Sequence, residues 1–512
     1  MSTGHREVED CYDVDPAAVP PRLAGLPGVA SVTEPVEHTL EATYFDTDDL
    51  ALAGAGITLR RRTGGEDAGW HLKLPVAGAR HEVSLPLGRA RVTVPKALRE
   101  TVRALTLDRP LHPVATLTNR RSVRRLLDAD GRVLAELADD RVGAETPAAP
   151  SGAGTTLTWR EWEVELVEGD VALLAGVGEA LTAAGARPAA VSSKLARALG
   201  ERLPQRTAAP PPGPDDPAAE VLRARLADQL GALRRHDPLV RADLAGGVHG
   251  MRVAIRRLRD ALATHRPLLD ATVTDPVRDE LRWLARSLGP ARDAEVQRRR
   301  VMRQVAELAV HDDGELVRGP VLARVEQHLT EHETRARSAV LEILDGERYR
   351  ILLGTLVELV ADPPFSELAT QPATEVLRAR AKHDLKRLRA RVRAAEDLPD
   401  RRDRPAALHE ARKAAKRARY AAEPLVAVVG RPARRYVKAV KRVQSALGDH
   451  HDAVVAQALL RDLADEAATA GENGFSYGEL HRRESEAQSA GEQRFEDAWR
   501  RVSRKKRRRW LG

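Results

Sequence analysis

A proline-rich seam, ERLPQRTAAPPPGPDDP at residues 201–217, separates two stretches whose hydrophobic periods read differently. Proline, alanine and charge without core residues make an extended linker, not a helix or a strand. Before the seam come short alternating segments between turn signals: REVEDCYDV, GITLRRRT, GWHLKLPV, HEVSLPL, RRSVRRLLD, GRVLAELADDRV and TLTWREWEVELV. Period-two alternation over such lengths predicts antiparallel strands. After the seam come long Ala, Leu and Arg runs at helical spacing. The expectation is an α+β chain of two domains, with a β domain over 1–203, a linker over 204–217 and an all-α domain over 218–512.

In a strand, residues i and i+2 share a face. Glu7 and Glu9 share one, and Arg60 and Arg62 share another with Leu59 opposite. His71 and Lys73 lie opposite Leu72 and Leu74, and Arg80 pairs with Glu82 in the same way. Glu161, Glu163 and Glu165 lie opposite Trp162, Val164 and Leu166. One such strand is ordinarily the wet side of a sheet. Here the acidic strands stand at the two ends of the domain and the basic ones between them. Closing the sheet into a barrel would put both sets in one polar lumen. Facing carboxylates make an oxygen-rich site suited to Mg²⁺ or Mn²⁺. Arg and Lys suit phosphate oxygens, Arg bidentately. Glutamates alone would repel a phosphate chain, so a divalent cation must bridge them. The chemistry implied is metal-assisted attack of water on a terminal phosphoryl group, carried mostly by positioning and charge neutralisation.

Composition narrows the other classes. The 512 residues are 42% apolar but only 3% aromatic, so the cores must be built from Ala, Leu and Val. A net charge of +8 makes a polyanionic partner worth testing. The single cysteine, Cys11, excludes a disulfide framework within the chain and fits a reducing compartment. No apolar run approaches the ~18–20 residues that cross a bilayer, and the first residues lack the apolar core of a signal peptide. A cytoplasmic protein with no membrane partner and no zinc site is expected.

Seven motifs then fall in a recognisable order: EVEDC (7–11), YFDT (44–47), GITLRRR (56–62), WHLKL (70–74), ELADDRV (136–142), EWEVELV (161–167) and SSKL (192–195). Together they resemble the CYTH, or triphosphate tunnel, family over nearly all of residues 1–200. The resemblance implies an eight-stranded antiparallel β tunnel that hydrolyses triphosphate-bearing substrates with Mg²⁺ or Mn²⁺. It implies that Glu7 and Glu9 are the metal-binding acids of an opening ExExK motif. Glu163 and Glu165 match the second acidic pair, with Glu161 as the register alternative, and Asp140 matches an acid near the metal. Arg60, Arg62, Lys73, Arg80 and Lys194 match a phosphate clamp, and Lys73 joins the four glutamates in the catalytic set. Arg120 or Arg121 belongs with the clamp, in a register the sequence leaves open. One position departs: Cys11 stands where ExExK carries Lys. A thiol supplies no fixed positive charge, so the change would weaken phosphate binding, slow turnover, or leave a tunnel that binds without hydrolysing.

The second half repeats itself. HGMRVAIRRLRD (249–260) matches HEARKAAKRARY (409–420), and LGPARDAEV (288–296) matches LGDHHDAVV (447–455). The period of about 160 residues means a duplicated domain, not a solenoid. At ~100° per residue, His249, Arg252, Arg256 and Arg259 fall within an arc of roughly 80°. Met251, Ile255, Leu258 and Leu262 lie opposite, and His409, Arg412, Lys416 and Arg419 repeat the basic arc. No Asp or Glu lies within either stripe. Four unpaired cations on one arc repel, and a polyanion would relieve that. Asp293 and Asp452 suggest a cap or an ion pair with a nearby Arg.

These motifs resemble the CHAD family over about 218–512. That resemblance implies two pseudo-symmetric four-helix bundles, about 218–360 and 370–512, with a basic channel that binds inorganic polyphosphate. The eight stripe residues would contact phosphate, with Lys413, Arg417, Lys382, Lys386 and Arg389 on neighbouring faces. The tail RKKRRRW (504–510) is expected to be disordered.

Joined, the halves suggest a tunnel triphosphatase, inorganic tripolyphosphate favoured as substrate, tethered to a polyphosphate-binding helical domain that raises local substrate concentration. The alternative is a non-catalytic polyphosphate binder whose tunnel Cys11 has weakened. Nucleic acid is disfavoured, because aromatics for base stacking are scarce and no reading motif is present. A cyclase acting on ATP is compatible with the tunnel family, but no adenine-specific signature stands out.

Overall fold

In the computed structural model the first strand is interrupted at Val8, giving β1 (Thr3–Glu7) and β2 (Glu9–Asp13). The structure describes residues 3–76, 79–88, 92–148, 154–191, 193–204, 212–311, 316–317, 320–504 and 508–511. Residues 1–207 and 237–243 cluster in one unit, and 208–236 and 244–512 in the other. Half of the expected linker, residues 205–211, and Ser192 of the SSKL motif lie outside the described residues.

The remaining strands are β3 (Ser31–Val32), β4 (Val36–Asp46), β5 (Thr58–Thr63), β6 (Gly69–Val76), β7 (Ala79–Pro86), β8 (His112–Leu127), β9 (Val133–Thr146), β10 (Thr155–Leu166) and β11 (Arg187–Pro188). Their order is β1-β7-β6-β5-β4-β8-β9-β10-β2-β11, with β3 on β8. β1 pairs β7 and β2 pairs β10, both antiparallel. Only Val8 separates β1 from β2, so one ribbon serves both edges and the sheet closes on itself. Counting that ribbon once, and setting aside the two-residue β3 and β11, eight long antiparallel strands make the ring.

Closure gives each strand an inner and an outer face, and helices cover the apolar outer one. The helices of this unit are α1 (Ala51–Gly54), α2 (Lys96–Thr106), α3 (Val171–Ala183) and α4 (Lys194–Leu199). α3 starts at Asp170, whose side chain accepts a hydrogen bond from the Leu173 amide at 2.9 Å, an N-cap. It buries Leu173, Leu174, Val177 and Leu181 against Tyr12, Leu137, Trp162 and Val164. The contact is close enough to require glycine: a Cβ on Gly178 would lie 2.3 Å from the Tyr12 hydroxyl. α4 is different. Its Leu195, Ala198 and Leu199 pack on Ala42, Leu117, Val142 and Ala144, and Ala42 and Leu117 also line the lumen. α4 therefore stoppers the apolar part of the bore.

The second unit is helical: α5 (Ala218–Arg241), α6 (Gly247–Thr264), α7 (Ala271–Ser287), α8 (Gly289–His311), α9 (Val321–Asp345), α10 (Glu347–Ala361), α11 (Ala373–Glu396), α12 (Arg404–Ala422), α13 (Leu425–Val429), α14 (Arg431–Thr469) and α15 (Phe475–Ser503). The repeated basic motif lies on α6 and on α12. One bundle draws helices from both copies: Val301 and Val305 of α8, Val325 and Leu329 of α9, Leu460 and Leu463 of α14, and Tyr477 and Leu480 of α15 share a core. α14, at 39 residues, is long enough to serve both ends of the unit.

The expected disorder of the tail needs correcting. Residues 505–507 lie outside the described residues, but Arg509–Leu511 form a short 3-10 turn. Trp510 sits edge-on to Tyr436, with ring centroids 5.7 Å apart, and Leu511 is buried. The charge run suggested a solvated end; its two closing apolar residues give it something to bury.

Candidate functional site

The closed sheet holds a cavity of about 310 Å³. Inward-facing positions on β2 and β10 supply acids to it, and those on β5, β6 and β7 supply cations. In register, Glu165 stands opposite Glu9, Glu163 opposite Cys11, and Glu161 opposite Asp13. Glu7, Glu9, Glu161, Glu163 and Glu165 line the cavity, together with Arg60, Arg62, Lys73, Arg80, Arg121 and Lys194. Asp140 lies just beneath, fully buried. Arg120 is exposed and does not line the cavity; the strand alternation that brings Arg121 inward turns Arg120 out. Of the two residues left open by the sequence, Arg121 is the one on the lumen.

The charges fall into two groups. In the first, Lys73 contacts Glu7 at 2.6 Å and Glu82 at 3.5 Å. Arg80 contacts Glu9 at 2.5 Å, and His71 Nδ1 lies 2.6 Å from Glu82. In the second, Lys194, at the first turn of α4, reaches Asp140 at 2.9 Å, Glu161 at 2.6 Å, and Glu163. Arg121 grips Asp140 with two nitrogens, at 2.8 and 2.6 Å, and also contacts Glu163. Ser193 caps α4 by accepting from the Ala196 amide at 3.1 Å, which fixes where Lys194 leaves the helix.

Two lumen groups stand apart. Glu165 has no ion pair or side-chain hydrogen bond among the described residues; burial, then Glu7, push its carboxyl up to about 7. Among the described residues Arg60 reaches only the Tyr44 hydroxyl, at 3.5 Å, and its buried Nε has no partner. Burial, then Arg60 and Arg121, lower Arg62 to about 9. Burial also raises Glu7, against the pull of Lys73. For Glu163 and Asp140 burial works the same way, but Lys194 and Arg121 outweigh it and hold both carboxyls below their ordinary range. The Cys11 thiol is pushed up by burial and then by Glu163, so it stays neutral, with Sγ donating to Glu163 at 3.7 Å.

Oxygens of Asp140, Glu161 and Glu163 lie within 4.8 Å of one another. Every donor there is a carboxylate, and Glu9 and Glu165 add a second facing pair. That donor set fits a hard divalent cation. The ammonium of Lys194 now lies among the first three. Sequence reasoning missed Tyr44 and Asn119 as lumen residues. Tyr44 sits on β4, whose inward positions are apolar or neutral, and Asn119 is itself uncharged, so no charge pattern marked them.

In the helical unit the two basic stripes face each other, with Arg256 Nε donating to the Tyr420 hydroxyl at 3.0 Å. The expectation of uncompensated stripes needs correcting. Arg252 meets Asp293 at 3.3 Å and the Gly289 carbonyl at 2.9 Å. Its counterpart Arg412 lies 3.9 Å from Asp452. Arg259 contacts Asp260, and Arg419 contacts Glu423, each at 3.2 Å. The acids come from α8 and α14, or from just outside the stripe, so a search along one stripe could not find them. Asp293 and Asp452 are thus ion-pair partners. Lys413 pairs with Glu410 at 2.6 Å, and Arg417 with Asp384 at 3.4 Å. Lys416 keeps no ion pair among the described residues; burial, then Arg412 and Arg256, lower it to about 7. His249 is exposed, and the His409 ring lies 4.3 Å from that of His451.

Comparison with known proteins supplies the family. The model of the CYTH domain matches residues 22–197, and that of the CHAD domain matches residues 224–461. The chain is similar to "Uncharacterized protein MT2285" and "Uncharacterized protein Rv2226" from two strains of Mycobacterium tuberculosis, each 38% identical over 98% of this chain and 97% of the relative. Among solved structures, PptA from Streptomyces chartreusis aligns at 23% identity and a TM-score of 0.47, over 56% of this chain and 99% of that one. No helix among the described residues is long and apolar enough to cross a membrane. With both domain models matched in order along its length, and a relative 38% identical over 98% of it, the chain belongs to the proteins that carry a CYTH domain followed by a CHAD domain.

Proposed function

We propose that the tunnel hydrolyses a triphosphate, inorganic tripolyphosphate favoured, and that the helical unit binds inorganic polyphosphate. One observation carries the reading: carboxylates from β2 and β10 and cations from β5, β6 and β7 line a single cavity. Glu7, Glu9, Asp140, Glu163 and Glu165, with Glu161, would hold Mg²⁺ or Mn²⁺. When bound, the ion would supply neutralisation of phosphate charge and activation of water. Arg60, Arg62 and Lys73 orient the phosphate chain, and Arg80 steadies its end beside Glu9. Arg60 is the strongest phosphate ligand of the set, because its guanidinium enters the lumen with no carboxylate attached. The surrounding sheet excludes bulk water, which strengthens each of these contacts.

The full chain should release phosphate from tripolyphosphate in Mg²⁺ or Mn²⁺. Glu165→Gln and Arg60→Ala should each lower the rate by about 100-fold, the loss typical when one preorganised charge contact is removed. A second reading rests on the neutral Cys11 thiol beside Glu163: a tunnel that binds phosphate without cleaving it. No release by the unaltered chain or by Cys11→Lys, with polyphosphate still bound, would favour that reading.

A further inference from the structure

Away from the facing stripes, the helical unit carries a second basic hollow. It is a cavity of about 180 Å³ between the first turns of α14 and the last turns of α15, lined by Arg435, Lys438, Arg442 and Arg501 over a floor of Ala439 and Ala498. All four cations are exposed, and none has an ion pair among the described residues. No carboxylate lines the hollow. Several other arginines of this unit sit against acids: Arg300 with Glu484, Arg324 with Glu472, Arg482 with Glu479. The two alanines let the long side chains converge instead of splaying apart. Arg435, Lys438 and Arg442 follow helical spacing, so their heads form one row along α14.

A second observation concerns the tail. Trp510 against Tyr436 and buried Leu511 bring the chain end back onto α14. The same return presses Arg508 toward Arg389 of α11, where burial, then Arg508 and Arg393, lower Arg389. Apolar anchoring thus gathers cations that would otherwise separate. Like charges held together without acids gain most from a multivalent anion.

We infer that the α14–α15 hollow is a second docking surface for a phosphate polymer, separate from the facing stripes on α6 and α12, and that it engages chains long enough to continue past the stripes. The inference rests on the proposed polyphosphate binding by this unit. Inorganic polyphosphate is favoured over nucleic acid because the lining of the hollow carries no aromatic side chain on which a base could stack.

The test uses the full chain and compares it with an outer variant (Arg435→Gln, Lys438→Gln, Arg442→Gln, Arg501→Gln) and a stripe variant (Arg256→Gln, Lys416→Gln). Binding of long-chain polyphosphate and of duplex DNA is measured against salt, and tripolyphosphate hydrolysis is followed alongside. The outer variant should bind long-chain polyphosphate about tenfold or more weakly. Its log-affinity-against-log-salt slope should fall by about three, as expected for the loss of several phosphate contacts. Its tripolyphosphate hydrolysis should match the unaltered chain. Long-chain binding with unchanged affinity and slope overturns the inference and leaves the polyphosphate reading standing. A larger loss for DNA than for polyphosphate overturns it in favour of nucleic acid. No polyphosphate binding by the unaltered chain defeats both readings. The stripe variant shows whether the two surfaces act separately, since losses that merely duplicate each other would also overturn the inference.

Discussion

Lys194 is the residue on which the acidic end of the lumen depends. Its ammonium contacts Asp140, Glu161 and Glu163 together, and those three carboxylates, with burial opposing, hold its pKa well above the ordinary lysine value. Removing one partner from a buried ion cluster typically costs about 3–5 kcal/mol, because the remaining charges are left uncompensated. Lys194→Ala should therefore lower the thermal midpoint clearly, and Mg²⁺ or Mn²⁺ should restore more of it than the same ion adds to the unaltered protein. Equal shifts in a melting experiment would mean that the carboxylates do not share a cation site. Cys11 gives the opposite case. Its neighbour Glu163 is already held by Lys194 and Arg121, so Cys11→Lys should add attraction for substrate more than it repairs a missing contact. The expected result is a lower KM for tripolyphosphate with kcat little changed, the pattern of uniform binding.

At the scale of elements, two short helices do unequal jobs. α3 covers the outside of the ring at a glycine contact, and Gly178→Ala would press a methyl into the Tyr12 hydroxyl. Overpacking of this kind costs about 1–3 kcal/mol, so urea denaturation should show a lowered midpoint while phosphate release at low temperature persists. α4 carries Lys194, so its cap bears on the site itself. Ser193→Ala should cost about 1 kcal/mol and, by loosening Lys194 from the carboxylates, make the melting temperature depend more strongly on Mg²⁺.

Much of this was legible in the sequence. The alternation of Glu7 with Glu9, of Arg60 with Arg62, and of Glu161, Glu163 and Glu165 fixes which side chains share a face, because strand geometry allows little else. β4 was not legible as a strand of the lumen, since its inner residues Leu40, Ala42 and Tyr44 carry no charge to stand out. The stoppering by α4 was hidden as well, because its partners come from three separate strands. In the helical half the basic stripes were plain, but their acid partners, such as Asp293 for Arg252, sit on another helix.

For the whole molecule, the pH response of polyanion binding follows from Lys416. Burial, then Arg412 and Arg256, bring it down to about 7; Arg252 adds to the effect and Asp260 opposes it. Nearby His409 is lowered to about 4 by burial and then by His451. A bound polyanion favours the charged form of Lys416. Below about pH 7 the proton is already present, and above it binding must take one up. Polyphosphate affinity of the full chain should therefore fall as pH rises through neutrality, with proton uptake visible as a buffer-dependent heat in calorimetry. Lys416→Arg should flatten the profile, because guanidinium stays protonated throughout. A profile unchanged by that substitution would place the titration elsewhere.

The interruption at Val8 also sets a timetable. The ribbon that joins the two edges is synthesised before the strands it pairs with, yet Cys11 and Glu163 are 152 positions apart, and the second edge exists only once β10 has been made. Contacts this distant form slowly. Glu7 and Glu9 must wait, exposed, for partners that are translated much later, so the lumen is completed after nearly all the rest of its unit has been synthesised. Ribosome-bound intermediates stalled before β10 should hold a sheet with one open flank and no capacity to retain a divalent ion.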